Sequence, residues 1–130
     1  MNRISFALLL VAASAAQAQQ GVTRLQCDGT YSDYVQNIRD VPTRGVYLEI
    51  RKGEVKVYSV PAFGTNEGTI YRTNRETEAS VCFILASNDN LYGCVNRFSG
   101  EINLMKQSTT DKNKMDSIFL GNCRTAKPLF

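Results

Sequence analysis

V-C-F-I-L-A-S-N-D-N-L-Y-G-C-V-N-R-F-S-G-E-I-N-L, residues 81–104, carries two of the four cysteines and two turn signals. Ser87-Asn88-Asp89-Asn90 is the first turn signal, because Asn and Asp side chains bond their own backbone and tolerate tight bends. A three-residue loop at 87–89 sets Leu85 against Leu91, Phe83 against Gly93 and Val81 against Val95, with Cys82 directly opposite Cys94. Opposed residues in antiparallel strands have Cα atoms about 4.5–5.5 Å apart, within the reach of a disulfide. A four-residue loop would throw the two cysteines onto opposite faces, so the turn length decides the bridge. Ser99-Gly100 is the second signal, and a register centred there pairs Arg97 with Ile102, Val95 with Leu104 and Cys94 with Met105.

Two turns chosen separately then agree on one apolar face: Val81, Phe83, Leu85, Leu91, Val95, Ile102 and Leu104. That agreement is the mark of a real sheet. The opposite face holds Cys82, Ile84, Tyr92, Cys94 and Met105, flanked by Asn96 and Asn103. A sheet wetted on one side alternates apolar with polar, and this one barely does. Ile84, Tyr92, Met105, Asn96 and Asn103 are therefore the candidate binding face. Either residues 19–25, the C-terminal tail or a partner is expected to cover it.

Working outward, residues 46–58 give a second hairpin. Val46, Leu48 and Ile50 alternate with Tyr47, Glu49 and Arg51, and Val55 and Val57 with Glu54, Lys56 and Tyr58. A two-residue turn at Lys52-Gly53 places Ile50 opposite Val55 and Leu48 opposite Val57. On the other side it pairs Arg51 with Glu54, Glu49 with Lys56 and Tyr47 with Tyr58. Residues 25–34 read as a first strand with a bulge at Asp28-Gly29, residues 69–73 as a short strand and residues 115–124 as the last. Residues 35–43, 61–68, 74–78 and 107–114 read as loops or turns, the first because it is polar and contains Pro42.

The count is about eight strands joined by short connections: an all-β, single-domain antiparallel meander, closed as a small barrel or strongly curved as a sheet. Closure makes the first and last strands neighbours and lets Cys27 bond Cys123. Four cysteines allow three connectivities. The barrel reading selects Cys27–Cys123 with Cys82–Cys94, and spacing alone leaves the other two open. A zinc site is disfavoured because the chain has no C-x-x-C pair.

The N-terminus has the form of an export signal. Arg3 is followed by an apolar run and by Ala16-Gln17-Ala18, the small-x-small pattern of a cleavage site. The run is about ten residues, short of the roughly 20 a membrane-crossing helix needs. Residues 1–18 are thus read as a signal peptide and residues 19–130 as one β domain, with disulfides that suit a periplasmic or secreted destination.

Composition excludes more than it assigns. Lys and Arg total 15 against 12 Asp and Glu, too even for a nucleic-acid binder, and the chain has no histidine. Ser-His and Cys-His nucleophiles are unavailable. Glu49, Glu54, Glu67, Glu76, Glu78 and Glu101 could still supply a carboxylate pair for glycan hydrolysis, but they fall in turns or opposite basic residues. Phe130 invites comparison with outer-membrane barrels, whose strands run to about nine to eleven residues. Strands nearer six, and Lys127 and Pro128 in the would-be final strand, argue against a membrane span.

The turn Asn96-Arg97-Phe98-Ser99-Gly100, the late Gly121-Asn122-Cys123 and the early Leu25-Gln26-Cys27-Asp28-Gly29 together resemble small uncharacterised exported proteins of proteobacteria. Those proteins show an Asn/Asp-Arg-x-Ser/Thr-Gly hairpin turn and a late Gly-x-Cys. The resemblance covers about thirty residues and implies a Gram-negative envelope protein; it assigns no catalytic or binding residue. The expectation is a non-catalytic module without cofactor that binds a small apolar ligand or an envelope protein. A structural envelope protein without ligand and a histidine-free carboxylate hydrolase are the alternatives.

Overall fold

The computed structural model describes residues 21–126. The proposed signal peptide and the tail from Lys127 to Phe130 lie outside the described residues. Eight strands form one closed antiparallel barrel in sequence order. They are β1 (Thr23–Asp33), β2 (Ile38–Arg51), β3 (Glu54–Tyr58), β4 (Thr69–Glu76), β5 (Ser80–Leu85), β6 (Asn88–Asn96), β7 (Glu101–Gln107) and β8 (Met115–Thr125). β1 pairs with β8 to close the ring, and Cys27 faces and bonds Cys123 across that seam. Cys82 likewise faces and bonds Cys94 between β5 and β6. No cysteine is free.

The period-two pattern decides what lies inside. Leu48, Val55, Val57, Tyr71, Phe83, Leu104 and Phe119 all point inward and are fully buried. An eight-stranded barrel is just wide enough for side chains to fill, and these fill it. Charges ride on the outer face. The register of β2 on β3 is the one the charge pattern predicts: Tyr47 opposite Tyr58, Glu49 opposite Lys56, Arg51 opposite Glu54. The bulge expected at Asp28-Gly29 is present as a register shift against β2. On the β8 side Gly29 faces Gly121. A Cβ on Gly29 would lie 2.0 Å from the Leu120 carbonyl oxygen, and one on Gly121 would lie 2.5 Å from that of Asp28. The seam closes this tightly because both residues lack a side chain.

Several expectations need correction. Leu85 does not pair with Leu91; it pairs with Asn88 across a two-residue turn, and residues 89–91 are absorbed as a bulge. The Val81–Val95, Cys82–Cys94 and Phe83–Gly93 pairs survive. Between β6 and β7 the register differs by two residues: Val95 faces Ile102, Cys94 faces Asn103 and Tyr92 faces Met105. Asn96 explains the shift. Its Oδ1 accepts hydrogen bonds from the backbone N–H groups of Phe98 and Ser99, both at 2.9 Å, and so lengthens the turn to residues 97–100. A slip of two keeps every side chain on its face, so the predicted core remains.

Residues 38–43 are strand, not loop. They pair with β1, with Thr30 opposite Pro42, while β3 reaches only Tyr47 to Arg51. The outer edge of β2 is therefore unpaired there, which is where proline and charge (Arg39, Asp40, Arg44) are tolerated and useful. β4 continues to Glu76, through residues read as a turn. Several strands are longer than the expected six residues, β1 and β8 with 11 and β2 with 14, while β3 has 5, β5 has 6 and β7 has 7. Among the described residues no helix is long and apolar enough to cross a membrane.

Candidate functional site

In a meander, alternate turns fall at the same end of the barrel. One end is closed. The connection from β3 to β4, residues 59–68, folds back over it and buries Val60 and Phe63, each 1% exposed. Backbone bonds from Phe63 N–H and Gly64 N–H to the Val60 carbonyl (3.2 and 2.9 Å) shape the bend. Ser59 (φ 58°) and Ala62 (φ 68°) are held left-handed, a conformation that costs L-residues roughly 1–2 kcal/mol. Burying the Phe63 ring, worth about 1.5–3 kcal/mol, offsets it. Phe63 meets Tyr31 edge-on, with centroids 6.5 Å apart. Tyr71, buried in β4, donates its hydroxyl to the Phe63 carbonyl at 2.6 Å. Burial pushes that hydroxyl's pKa well up, so it stays protonated and donating.

Among the described residues the other end is open. Lys52 after β2, Glu76 at the end of β4, Val81 in β5, the turn at residues 97–100, the start of β1 and the end of β8 line a cavity of about 640 Å³. Leu25, Ile50, Val81 and Val95 form its apolar floor, resting on the packed interior. Among the described residues, Arg51, Lys52, Arg97 and Arg124 belong to the rim with a single carboxylate, Glu76. Phe98, 78% exposed, projects from the lip. The arginines are oriented by carboxylates: Arg97 by Glu76, Arg51 by Glu49 at 3.2 Å and Arg124 by Asp28 at 3.2 Å. Asp28 accepts the Gly45 N–H at 3.0 Å, and this bond, with Arg124, holds its carboxyl below the usual carboxylate range. It is therefore ionised, and available to Arg124, at neutral pH. Gly100 pins the lip to the seam. Its carbonyl accepts the Cys123 N–H at 2.7 Å, its φ is +76°, and a Cβ there would sit 2.4 Å from the Cys123 carbonyl oxygen.

The candidate face chosen from the sequence is divided. Ile84, Tyr92 and Met105 form one row across β5, β6 and β7 on the outer wall. Asn103 sits beside Cys94 in the next row. The rows continue on β8 with Ile118 and Leu120. All five candidate residues are partly buried. The Cys82–Cys94 bridge lies on this wall, as expected from the register. Residues 23–25 do not cover it, since they are built into β1 between β2 and β8. Asn96 belongs elsewhere: it lines the mouth, and its side-chain oxygen is committed to the turn.

Sequence reasoning missed the mouth. The signal was available, because Lys52-Gly53, the turn after β4 and the turn after β6 must share an end once the meander is drawn. Among the described residues no cluster of three or more Cys, Asp or Glu side chains could hold a metal. Compared with protein families, with curated proteins and with solved structures, the chain has no match in any of the three.

Proposed function

We propose that this chain is an exported, disulfide-stapled barrel of the bacterial envelope that binds and does not catalyse, and that it takes a small apolar ligand in its open mouth. The observation that carries the reading is the apolar-floored cavity at one end of a barrel whose other end is plugged. Ligand sites are concave, mostly apolar and often found in the mouths of β-barrels. The volume falls within the roughly 300–1,000 Å³ such sites occupy.

Support for a non-catalytic role comes from the chemistry at hand. The sequence has no histidine, and the one carboxylate lining the mouth, Glu76, is engaged by Arg97. Among the described residues no second carboxylate lines the mouth to make the pair that glycoside hydrolysis requires. Two disulfides suit an oxidising compartment, and the N-terminal pattern of Arg3, an apolar run and Ala16-Gln17-Ala18 supplies a route there. The interior is apolar and packed, and the outer wall carries charge across β2 and β3, whereas a membrane-spanning barrel is polar inside and apolar all round outside. That favours a protein that leaves the cell envelope without detergent.

The test is purification of the folded protein from an osmotic-shock fraction, followed by organic extraction and mass spectrometry. Release of a small apolar compound is the expected result. A clean spectrum, together with no uptake of an apolar fluorescent probe by the extracted protein, would count against the reading.

A further inference from the structure

The rim adds a charge requirement to the floor. Among the described residues four cations and one carboxylate line the mouth, but Arg51 and Arg124 alternate with inward Ile50 and Cys123 and turn their side chains to the outer face, leaving Lys52 and Arg97 as the pair directed to the opening. Counting also Glu49 and Asp28, which hold Arg51 and Arg124 from outside it, cations still outnumber carboxylates four to three. Lys52 has no carboxylate within ion-pair distance among the described residues. Each guanidinium presents five N–H donors in a fixed fork, and one carboxylate partner leaves several unused. The Arg97 side chain is 45% exposed, so its unused donors stand in reach of a ligand at the surface.

The floor limits how deep a ligand goes. Below Leu25, Ile50, Val81 and Val95 the interior is filled by Leu48, Phe83 and Leu104, all fully buried. An apolar chain can lie on the floor but cannot thread the barrel. Its polar end must then emerge among the rim cations, where a low-dielectric floor lessens screening. An anionic head gains there, a cationic one is repelled, and a neutral one gains little.

We propose that the mouth takes a monomeric, single-chain anionic amphiphile, an alkyl carboxylate or phosphate, with its chain on the apolar floor and its head between Lys52 and Arg97. This rests on the reading of the mouth as the binding site and adds the class of ligand. Exposed Phe98 extends the apolar surface over the lip.

The experiment is calorimetric titration of the delipidated full-length mature protein with dodecanoate, dodecyltrimethylammonium and dodecyl maltoside, each below its micelle concentration. Dodecanoate is expected to bind at one site, more than tenfold tighter than the ammonium. Shortening it to decanoate should weaken binding by about two- to fourfold per methylene. Its affinity should fall with added salt, and by about fivefold to tenfold in Lys52→Glu, whose exposed turn position leaves folding unaffected. Equal binding of all three compounds would overturn the charge requirement and leave the mouth as an apolar site. Binding of none would overturn both. Co-sedimentation with phosphatidylglycerol vesicles, without uptake of monomeric dodecanoate, would make the rim a membrane contact and overturn the inference as well.

Discussion

Phe63 and Phe98 both sit in connections between strands, at opposite ends of the same barrel, and one is 1% exposed while the other is 78% exposed. Loop length separates them. Residues 59–68 have enough chain to leave β3, cross the end of the barrel and set Phe63 against Tyr31 before joining β4. The turn at residues 97–100 has four residues, all held in place by the Asn96 cap, by the Gly100–Cys123 bond and by the bond from Arg97 N–H to the Ala79 carbonyl, so Phe98 cannot reach inward. One end becomes core and the other stays a mouth. The lesson is that a barrel's open end is set as much by the shortness of its turns as by the residues in them.

That contrast can be broken experimentally. Among the described residues the mouth end has no plug, so the seam beneath it is expected to depend on the covalent bond. Replacing Cys27 and Cys123 together by Ala should cost about 4–5 kcal/mol by the chain-entropy argument, from a loop closed over a sequence separation of 96. The Cys82–Cys94 pair, at a separation of 12, should cost about 3 kcal/mol in the same denaturant titration. The reverse order would show that the seam is held by packing instead.

Phe63→Ala removes the plug and should cost about 3–5 kcal/mol in the same assay. Tyr71→Phe keeps the ring but strands the buried Phe63 carbonyl, at about 1–3 kcal/mol. A negligible effect would mean that water replaces the hydroxyl. Phe98→Ala should change stability by no more than about 0.5 kcal/mol, as exposed positions usually do. A loss there comparable with that of Phe63→Ala would erase the distinction between the ends.

Much of this architecture was legible in the residues. The β2–β3 register followed from opposite charges across a two-residue turn, and the β5–β6 register from the requirement that Cys82 meet Cys94. The β6–β7 register was off by two because a side-chain cap at Asn96 lengthened the turn, a choice that apolar periodicity cannot see. The start of β2 was hidden by the features that protect an exposed edge, Pro42 and its flanking charges. The plug was hidden because a lone phenylalanine among Gly, Thr, Asn and Glu carries no period. Of the candidate site, the outer-wall row of Ile84, Tyr92 and Met105 was found, and the mouth was not. Its residues come from five separated stretches that only the closed ring brings together.

The β1–β8 pairing has a consequence for how the molecule is made. Every other pairing in the ring joins strands adjacent in the chain. Such hairpins form locally, on the order of microseconds. The seam has to bring together residues nearly a hundred positions apart, and non-local pairings of that kind set slow folding rates. A chain synthesised from its N-terminus onward therefore holds β1 with one edge open until β8 arrives. Only then can Cys27 find Cys123, and until then Phe119 is missing from the centre of the core.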